Sequence, residues 1–362
     1  MISMFLKIFQ INFRMGKGRF WLKTLRNQIN ARNKRNELEK SGLEVPPVMI
    51  FSVTNRCNLK CAGCYANAQN RNINNELPSE KVRNLFSEAS DLGTGIILIA
   101  GGEPLVRRDI IEAAASQEDT LFPVFTNGLM LQNGYMDLFS SNRNLIPVLS
   151  LEGDTCRTDQ RRGKGVYDKV MQAASEMKKR RMFYGMSITL TRNNFEEVMS
   201  PEFINEYYKL GCRLFFFVEY VPSGKLDIDY CLSTEQKSRM SSRLTNLRIV
   251  FSSLFIALPG DEDQYGGCLA AGRGFVHVSS TGDLEPCPFA PYSDVNLAGI
   301  SLAEGLKSGF LKRIRSGHAI LTESNGGCTL WENREWTEEM LEKSSAGKKE
   351  ISGEENQSRI TA

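Results

Sequence analysis

Histidine is nearly absent from this chain: of 362 residues only His277 and His318 carry an imidazole. The first falls in an expected hairpin strand, where it packs. The second follows a helix, where an imidazole usually caps the last carbonyls, so neither is expected to bind a metal. No apolar run approaches the roughly 18 residues that a membrane span needs. The apolar N-terminal residues are interrupted by Lys7, Asn12 and Arg14, and no small-residue cleavage site follows, so no secretion signal is expected. A net charge of only +3 gives no reason to expect a nucleic-acid partner. Nine cysteines without a signal point to a reducing cytoplasmic compartment, where thiols serve metals rather than disulfides. The composition, 41% hydrophobic and 24% charged, is that of a globular protein, and the length suits one large α/β domain plus a smaller one.

Charge is unevenly placed. Residues 1–44 carry ten Lys/Arg against three Glu, leaving about −4 for the remainder. Met4, Phe5, Ile8, Phe9, Ile11, Phe13, Phe20, Trp21, Leu22 and Leu25 are interleaved with those cations, as in an amphipathic helical arm. Such an arm packs against the outside of a barrel, rests on the anionic inner face of a membrane, or recognises an acidic partner.

The chain's richest stretch is Cys57-Asn58-Leu59-Lys60-Cys61-Ala62-Gly63-Cys64-Tyr65, spaced C-x3-C-x2-C. Three thiolates can hold three irons of a [4Fe–4S] cube and leave the fourth iron open to a ligand. A structural zinc site remains the other reading, although zinc generally takes four ligands and these three are one short. From Val48 onward short apolar strands alternate with helices six times: strands at Val48–Thr54, Gly95–Ala100, Leu121–Phe125, Leu145–Leu149, Gly185–Leu190 and Arg213–Val218. The expected helices cover Pro78–Leu92 (capped by Ser79), Ile110–Gln117, Val166–Arg181, Phe195–Leu210 and Thr234–Leu247. That alternation predicts a parallel sheet covered by helices, a partial (β/α)6 TIM-like barrel. The polar and glycine-rich signatures fall at the C-terminal ends of the strands, where parallel barrels collect their chemistry. After Leu258-Pro259-Gly260 the pattern changes to a hairpin over Phe275–Ser279 and Leu284–Pro286 and a helix over Leu302–Ser316. The expected divisions are 1–44, a core over 45–250, a small α+β module over 251–342, and a disordered tail over 343–362.

C-x3-C-x2-C after the first strand, with Gly101-Gly102-Glu103-Pro104 after the second, resembles the radical S-adenosylmethionine (SAM) enzymes over roughly residues 48–250. The resemblance implies that Cys57, Cys61 and Cys64 bind a [4Fe–4S] cluster whose open iron is chelated by SAM. One electron then cleaves SAM to methionine and a 5′-deoxyadenosyl radical, which abstracts a hydrogen atom from substrate. It further implies that Gly101, Gly102, Glu103 and Pro104 form the segment that binds the methionine amino group. Ser150 and Glu152 stand at the family's Ser-Leu-Asp-Gly, with Glu replacing Asp. Arg162 resembles the arginine that pairs with the SAM carboxylate, with Arg161 as competitor. Asn127 faces the adenosyl group or serves only as a turn residue. Tyr65 follows the last cysteine as in many relatives. Glu219 and Tyr220, at the end of the last strand, are the candidate catalytic residues, or else pocket lining.

Cys268, Gly282 and Cys287 give C-x13-G-x4-C, similar to the opening motif of the SPASM and twitch extensions, which bind auxiliary iron–sulfur clusters. A full SPASM extension carries a further C-x2-C-x5-C-x3-C block that this sequence lacks; only Cys328 lies downstream. The resemblance therefore implies one auxiliary [4Fe–4S] cluster on Cys268, Cys287 and Cys328, its fourth site open or filled by another group, Cys231 included. Cys156 and Cys212 read as structural. Relatives with such extensions mostly modify peptides or proteins and some build cofactors. A peptide side chain is the expected substrate, with tetrapyrrole-type small molecules next, and a non-catalytic iron–sulfur scaffold as the rival. A ferredoxin or flavodoxin is the expected electron donor.

Overall fold

The computed structural model describes residues 18–69, 73–222, 225–259, 262–321 and 328–344. The expected tail and the first 17 residues of the arm lie outside them.

Nine strands form one sheet: β1 (Val48–Ser52), β2 (Ile96–Ala100), β3 (Phe122–Thr126), β4 (Leu145–Leu151), β5 (Gly185–Leu190), β6 (Leu214–Glu219), β7 (Leu254–Leu258), β8 (Phe275–Val278) and β9 (Leu284–Glu285). Strands β1 to β7 run parallel in chain order, and β8 pairs parallel with the other side of β1. The hairpin partner β9 is antiparallel to β8. The principal helices are α1 (Gly18–Lys40), α2 (Ser79–Leu92), α3 (Arg108–Ala115), α4 (Tyr135–Ser141), α5 (Thr155–Arg162), α6 (Val166–Lys179), α7 (Pro201–Lys209), α8 (Thr234–Val250) and α9 (Gly309–Ser316). The architecture is the expected partial barrel with one strand more than the six read from the sequence. Strand β7, Leu-Phe-Ile-Ala-Leu, follows α8 and pairs with β6 from Leu214↔Leu254 to Val218↔Leu258. The sheet also runs without a break into the C-terminal hairpin, because Val48–Phe51 pair with Phe275–Val278.

The apolar strands have a reason to be nearly continuous: both faces are covered. Side chains alternate across a strand. Met49, Phe51, Ile97, Leu149, Phe215 and Phe217 pack under the helices, whereas Leu98, Val148, Phe216 and Leu254 fill the concave face. The described part of the arm, α1, does pack on the barrel, and does so at the N-terminal ends of its strands. Trp21, 3% exposed, joins the concave core and meets the Phe183 ring edge-on at 5.2 Å. Gln28 donates to Gly95 O at 2.8 Å, Arg35 donates to Gly93 O, and Lys23 pairs with Glu118 at 2.8 Å.

Local expectations failed where side chains found other partners. Ser79 does not cap α2, because its hydroxyl bonds Asp109 and receives a donor from Arg107. The expected helix over Phe195–Leu210 is two, Phe195–Val198 and α7, since Ser200 caps a fresh start at Pro201. Ser308 likewise divides Leu302–Ser316 by capping α9. Cys212 is buried as expected, but Cys156 is exposed on α5.

Candidate functional site

The cysteine loop leaves β1 and is held at its root by one buried carboxylate. Glu76 Oε1 accepts from Thr54 Oγ1 at 2.8 Å and from the Asn55 amide at 2.7 Å, and Arg107 stands 3.7 Å from Oε2. No sequence motif marks Glu76, which reaches the loop only because the chain folds back after it. The glycine pair after β2 then meets the loop backbone: Gly102 N donates to Thr54 O at 2.7 Å and Glu103 N to Arg56 O at 2.9 Å. A Cβ at Gly101, whose φ is +120°, would collide with Thr54 O, and one at Gly102 with Arg56 O. The close approach that these glycines permit is therefore first that of the cysteine loop itself.

Glu103 is 1% exposed. One oxygen accepts from Thr126 Oγ1 at 2.8 Å and the Leu105 amide at 3.0 Å, the other from the Asn127 amide at 2.8 Å. Burial pushes its carboxyl up despite those bonds. Pro104 does not line the cavity, contrary to the reading from the motif; it opens a 3-10 turn that Glu103 caps. Asn127 lines the cavity, but its amide nitrogen donates to Asn58 Oδ1 at 2.7 Å and its oxygen accepts from the Leu129 amide at 3.1 Å. Asn127 builds the Asn-Gly turn and ties it to the cysteine loop.

Glu152 is the clearest departure from the sequence reading. It does not line the cavity; it is 3% exposed and holds both arginines. Arg161 Nη1 donates to one oxygen at 2.6 Å, and the other lies 2.8 Å from Arg162 Nε and 2.6 Å from Nη2. Arg161 in turn donates from Nε to Ala62 O at 3.1 Å, while its own carbonyl accepts from the Ala62 amide at 2.9 Å. The two arginines thereby divide the work: Arg161 clamps the loop, and both reach the cavity wall along with Ser150. Tyr220 covers the loop from β6, so closely that a Cβ at Gly63 would meet its ring.

The second cysteine set comes from three separate segments. Cys268 precedes β8, Cys287 follows β9, and Cys328 caps the short helix Thr329–Glu332. The hairpin turns at Gly282, φ +93°. The loop reaches this module through Tyr65, whose ring meets Phe289 edge-on at 5.2 Å, and through Gln69, which donates to Pro288 O at 2.7 Å. Burial pushes the Cys328 thiol up to about 12 and the Cys287 thiol well above its ordinary value. Metal binding would have to release their protons. His277 is buried as expected of a packing residue, bridging Ser52 Oγ at 2.8 Å and Glu285 at 2.7 Å. His318 bonds Arg315 O at 2.9 Å after α9.

A single cavity of about 260 Å³ collects the site at the C-terminal ends of the strands. Cys57, Cys61 and Cys64 line it, and so do Cys268, Cys287 and Cys328, with Gly101, Gly102, Glu103, Tyr65, Glu219 and Tyr220. Cys231 does not; its thiol donates to Tyr220 O at 3.8 Å. Among the described residues no three His, Cys, Asp or Glu side chains converge on one single-ion point. A tetrahedral zinc site needs such convergence, whereas a cube takes each thiolate on a different iron. Two sets of three thiols on one cavity match in number and softness the donors that iron–sulfur clusters take.

The family model described as Radical SAM superfamily matches residues 51–200. The Fe-coproporphyrin III synthase of Methanosarcina barkeri (strain Fusaro / DSM 804) is 28% identical over 193 residues, which are 52% of this chain and 48% of the relative. The chain thus spans about half the length of that relative. The mycofactocin maturase MftC of Mycolicibacterium smegmatis (strain ATCC 700084 / mc(2)155) is 26% identical over 321 residues, 84% of this chain and 75% of the relative. Among solved structures, Streptococcus suis SuiB bound to the precursor peptide SuiA superposes with a TM-score of 0.61 at 18% identity, covering 79% of this chain and 71% of SuiB. At that identity the likeness is one of fold.

Proposed function

We propose that this chain, whose residues 51–200 match the radical SAM superfamily, is a radical SAM enzyme that modifies a peptide or protein side chain by hydrogen-atom abstraction. The observation that carries the reading is the one cavity lined by both cysteine sets and by the Gly101–Glu103 segment. Bound there, a [4Fe–4S] cluster and SAM supply the adenosyl radical chemistry. Cys57, Cys61 and Cys64 hold that cluster. Gly101, Gly102 and Glu103 frame the methionine end of SAM, and Ser150 and Asn127 its nucleoside. Arg162, steadied by Glu152, offers its fork to the SAM carboxylate. Ile50, Leu98, Phe125, Val218 and Leu258 line the same space and keep water from the reacting centre. Cys268, Cys287 and Cys328 hold an auxiliary cluster, while Tyr220 and Glu219 close the wall where substrate enters.

The peptide assignment draws on MftC, a relative along 84% of the chain, and on SuiB, solved with a precursor peptide. Reduced, cluster-loaded protein should convert SAM to 5′-deoxyadenosine. Full iron and sulfide loading with no such product would leave a non-catalytic scaffold instead. A tetrapyrrole-type substrate is the second reading, favoured by the Fe-coproporphyrin III synthase match. Turnover-linked 5′-deoxyadenosine stimulated by an iron porphyrin and not by peptides would establish it. A ferredoxin- or flavodoxin-type protein is the proposed electron donor. Contact of residues 1–44 with an anionic membrane draws on Leu22 and Ile29, 55% and 45% exposed on the basic α1. Unchanged vesicle binding by Leu22→Glu/Ile29→Glu protein would remove it. Among the described residues, no helix is long and apolar enough to cross a membrane.

A further inference from the structure

Three cysteines leave an auxiliary [4Fe–4S] cube one donor short of the usual four. Cys231 does not fill the gap, because its sulfur faces the Tyr220 carbonyl outside the cavity wall. The carboxylates that line the cavity are Glu103, Glu219 and Glu262. Glu103 has both oxygens engaged by Thr126, Leu105 and Asn127.

Glu219 is different. It is 3% exposed, lines the cavity, and its Oε2 accepts no hydrogen bond from any described residue. Leaving a buried carboxylate oxygen unbonded is costly, so such an atom is kept where something else binds it. Its other oxygen is fixed: Lys237 Nζ lies 3.4 Å from Oε1. The same Nζ lies 3.7 Å from Glu332 Oε1, and the Glu332 amide donates to Cys328 O at 3.0 Å. Lys237 thereby ties Glu219, from the end of β6, to the helical turn that begins at Cys328.

We propose that Glu219 Oε2 is the fourth donor to the cluster held by Cys268, Cys287 and Cys328. The proposal rests on the auxiliary cluster put forward above. A carboxylate suits iron as a ligand, and Lys237 offsets the charge that it adds. An oxygen donor is harder than a thiolate; where imidazole replaces thiolate in two-iron centres, the potential rises. Fourth-site ligation also makes this cluster a closed electron-transfer site, leaving substrate to be held elsewhere in the cavity.

The test uses the full chain with Cys57, Cys61 and Cys64 replaced by Ala, so that only the auxiliary site remains, reconstituted without oxygen. Iron and sulfide are counted, and the fraction converted by mild ferricyanide oxidation to a [3Fe–4S] form is read by low-temperature EPR. A cube with a protein ligand on every iron resists that loss. In the Glu219→Gln background the converted fraction should rise several-fold, in Glu219→Cys it should stay at the parent level, and Glu262→Gln should match the parent. Equal conversion in the parent and Glu219→Gln proteins overturns the proposal and leaves the auxiliary cluster standing. A rise confined to Glu262→Gln overturns it in favour of that residue. A parent that binds no iron overturns the auxiliary cluster and the proposal together. If Glu219→Gln protein fails to load, an intact cube in Glu219→Cys still supports ligation, and loss of the cube from both refutes it.

Discussion

The two cysteine sets reach the same cavity by opposite routes. Cys57, Cys61 and Cys64 ride on one loop, with Cys57 exposed and the others half-buried. Their spacing is written in eight consecutive residues, and hydrogen bonds from Gly102, Glu103 and Arg161 hold the loop in place. Cys268, Cys287 and Cys328 come from three segments spread over some 60 residues, with Cys287 buried and the other two half-buried. The first set depends on local geometry, and the second on the docking of β8 against β1.

The largest break in that comparison should come from the loop. Cys57→Ala/Cys61→Ala/Cys64→Ala protein should lose 5′-deoxyadenosine formation to background while keeping about one cluster's iron, and Cys287→Ala should also keep about one cluster's iron but still cleave SAM. Iron counting and product chromatography read both. A triple variant that still cleaved SAM would separate the loop from the chemistry. Next, apoprotein stability should depend on Glu219, whose carboxyl burial pushes up to about 7 against Lys237. Its folded value lies above its unfolded 4.5, so the stabilising contribution of its proton should be complete below about pH 4.5, fall as pH rises, and be gone above about 7. The integrated effect is about 3 kcal/mol, and Glu219→Gln should flatten it in denaturant titrations. Gly102→Ala, which overpacks the loop backbone, should cost about 1–3 kcal/mol and perturb the EPR of the loop cluster alone. A matching change in the auxiliary signal would show that the two sites are not independently built. The smallest effect belongs far from both: Lys23→Ala removes an exposed pair with Glu118 and should change the melting free energy by under about 1 kcal/mol.

The strand–helix alternation was legible because seven parallel strands are covered on both faces and so are nearly unbroken apolar runs. Strand β7 went unread because the composition change at Leu258-Pro259-Gly260 falls at its end, and its five residues were assigned to the module that follows. The cysteine positions and Gly-Gly-Glu were legible as motifs, since their spacing is the chemistry. Glu76 and the true part of Glu152 were not. Each acts through a fold-dependent contact, Glu76 on the Thr54 hydroxyl and the Asn55 amide and Glu152 on two guanidinium groups nine and ten positions on. The motif points to Glu152 as a ligand contact, whereas the structure puts it behind Arg161 and Arg162, which line the cavity.

The docking of β8 onto β1 also decides how the protein opens. A partial barrel that began at β1 would leave that strand as an edge, with unpaired amides next to the cysteine loop and a template for pairing with other chains. Here β1 lies inside the sheet, between β2 and β8, and the edge passes to the two-residue β9. Amide hydrogens of Met49 to Phe51 should therefore exchange with solvent only through the most global unfolding events. A strand enclosed on both sides leads directly into a loop whose first thiol, Cys57, is exposed.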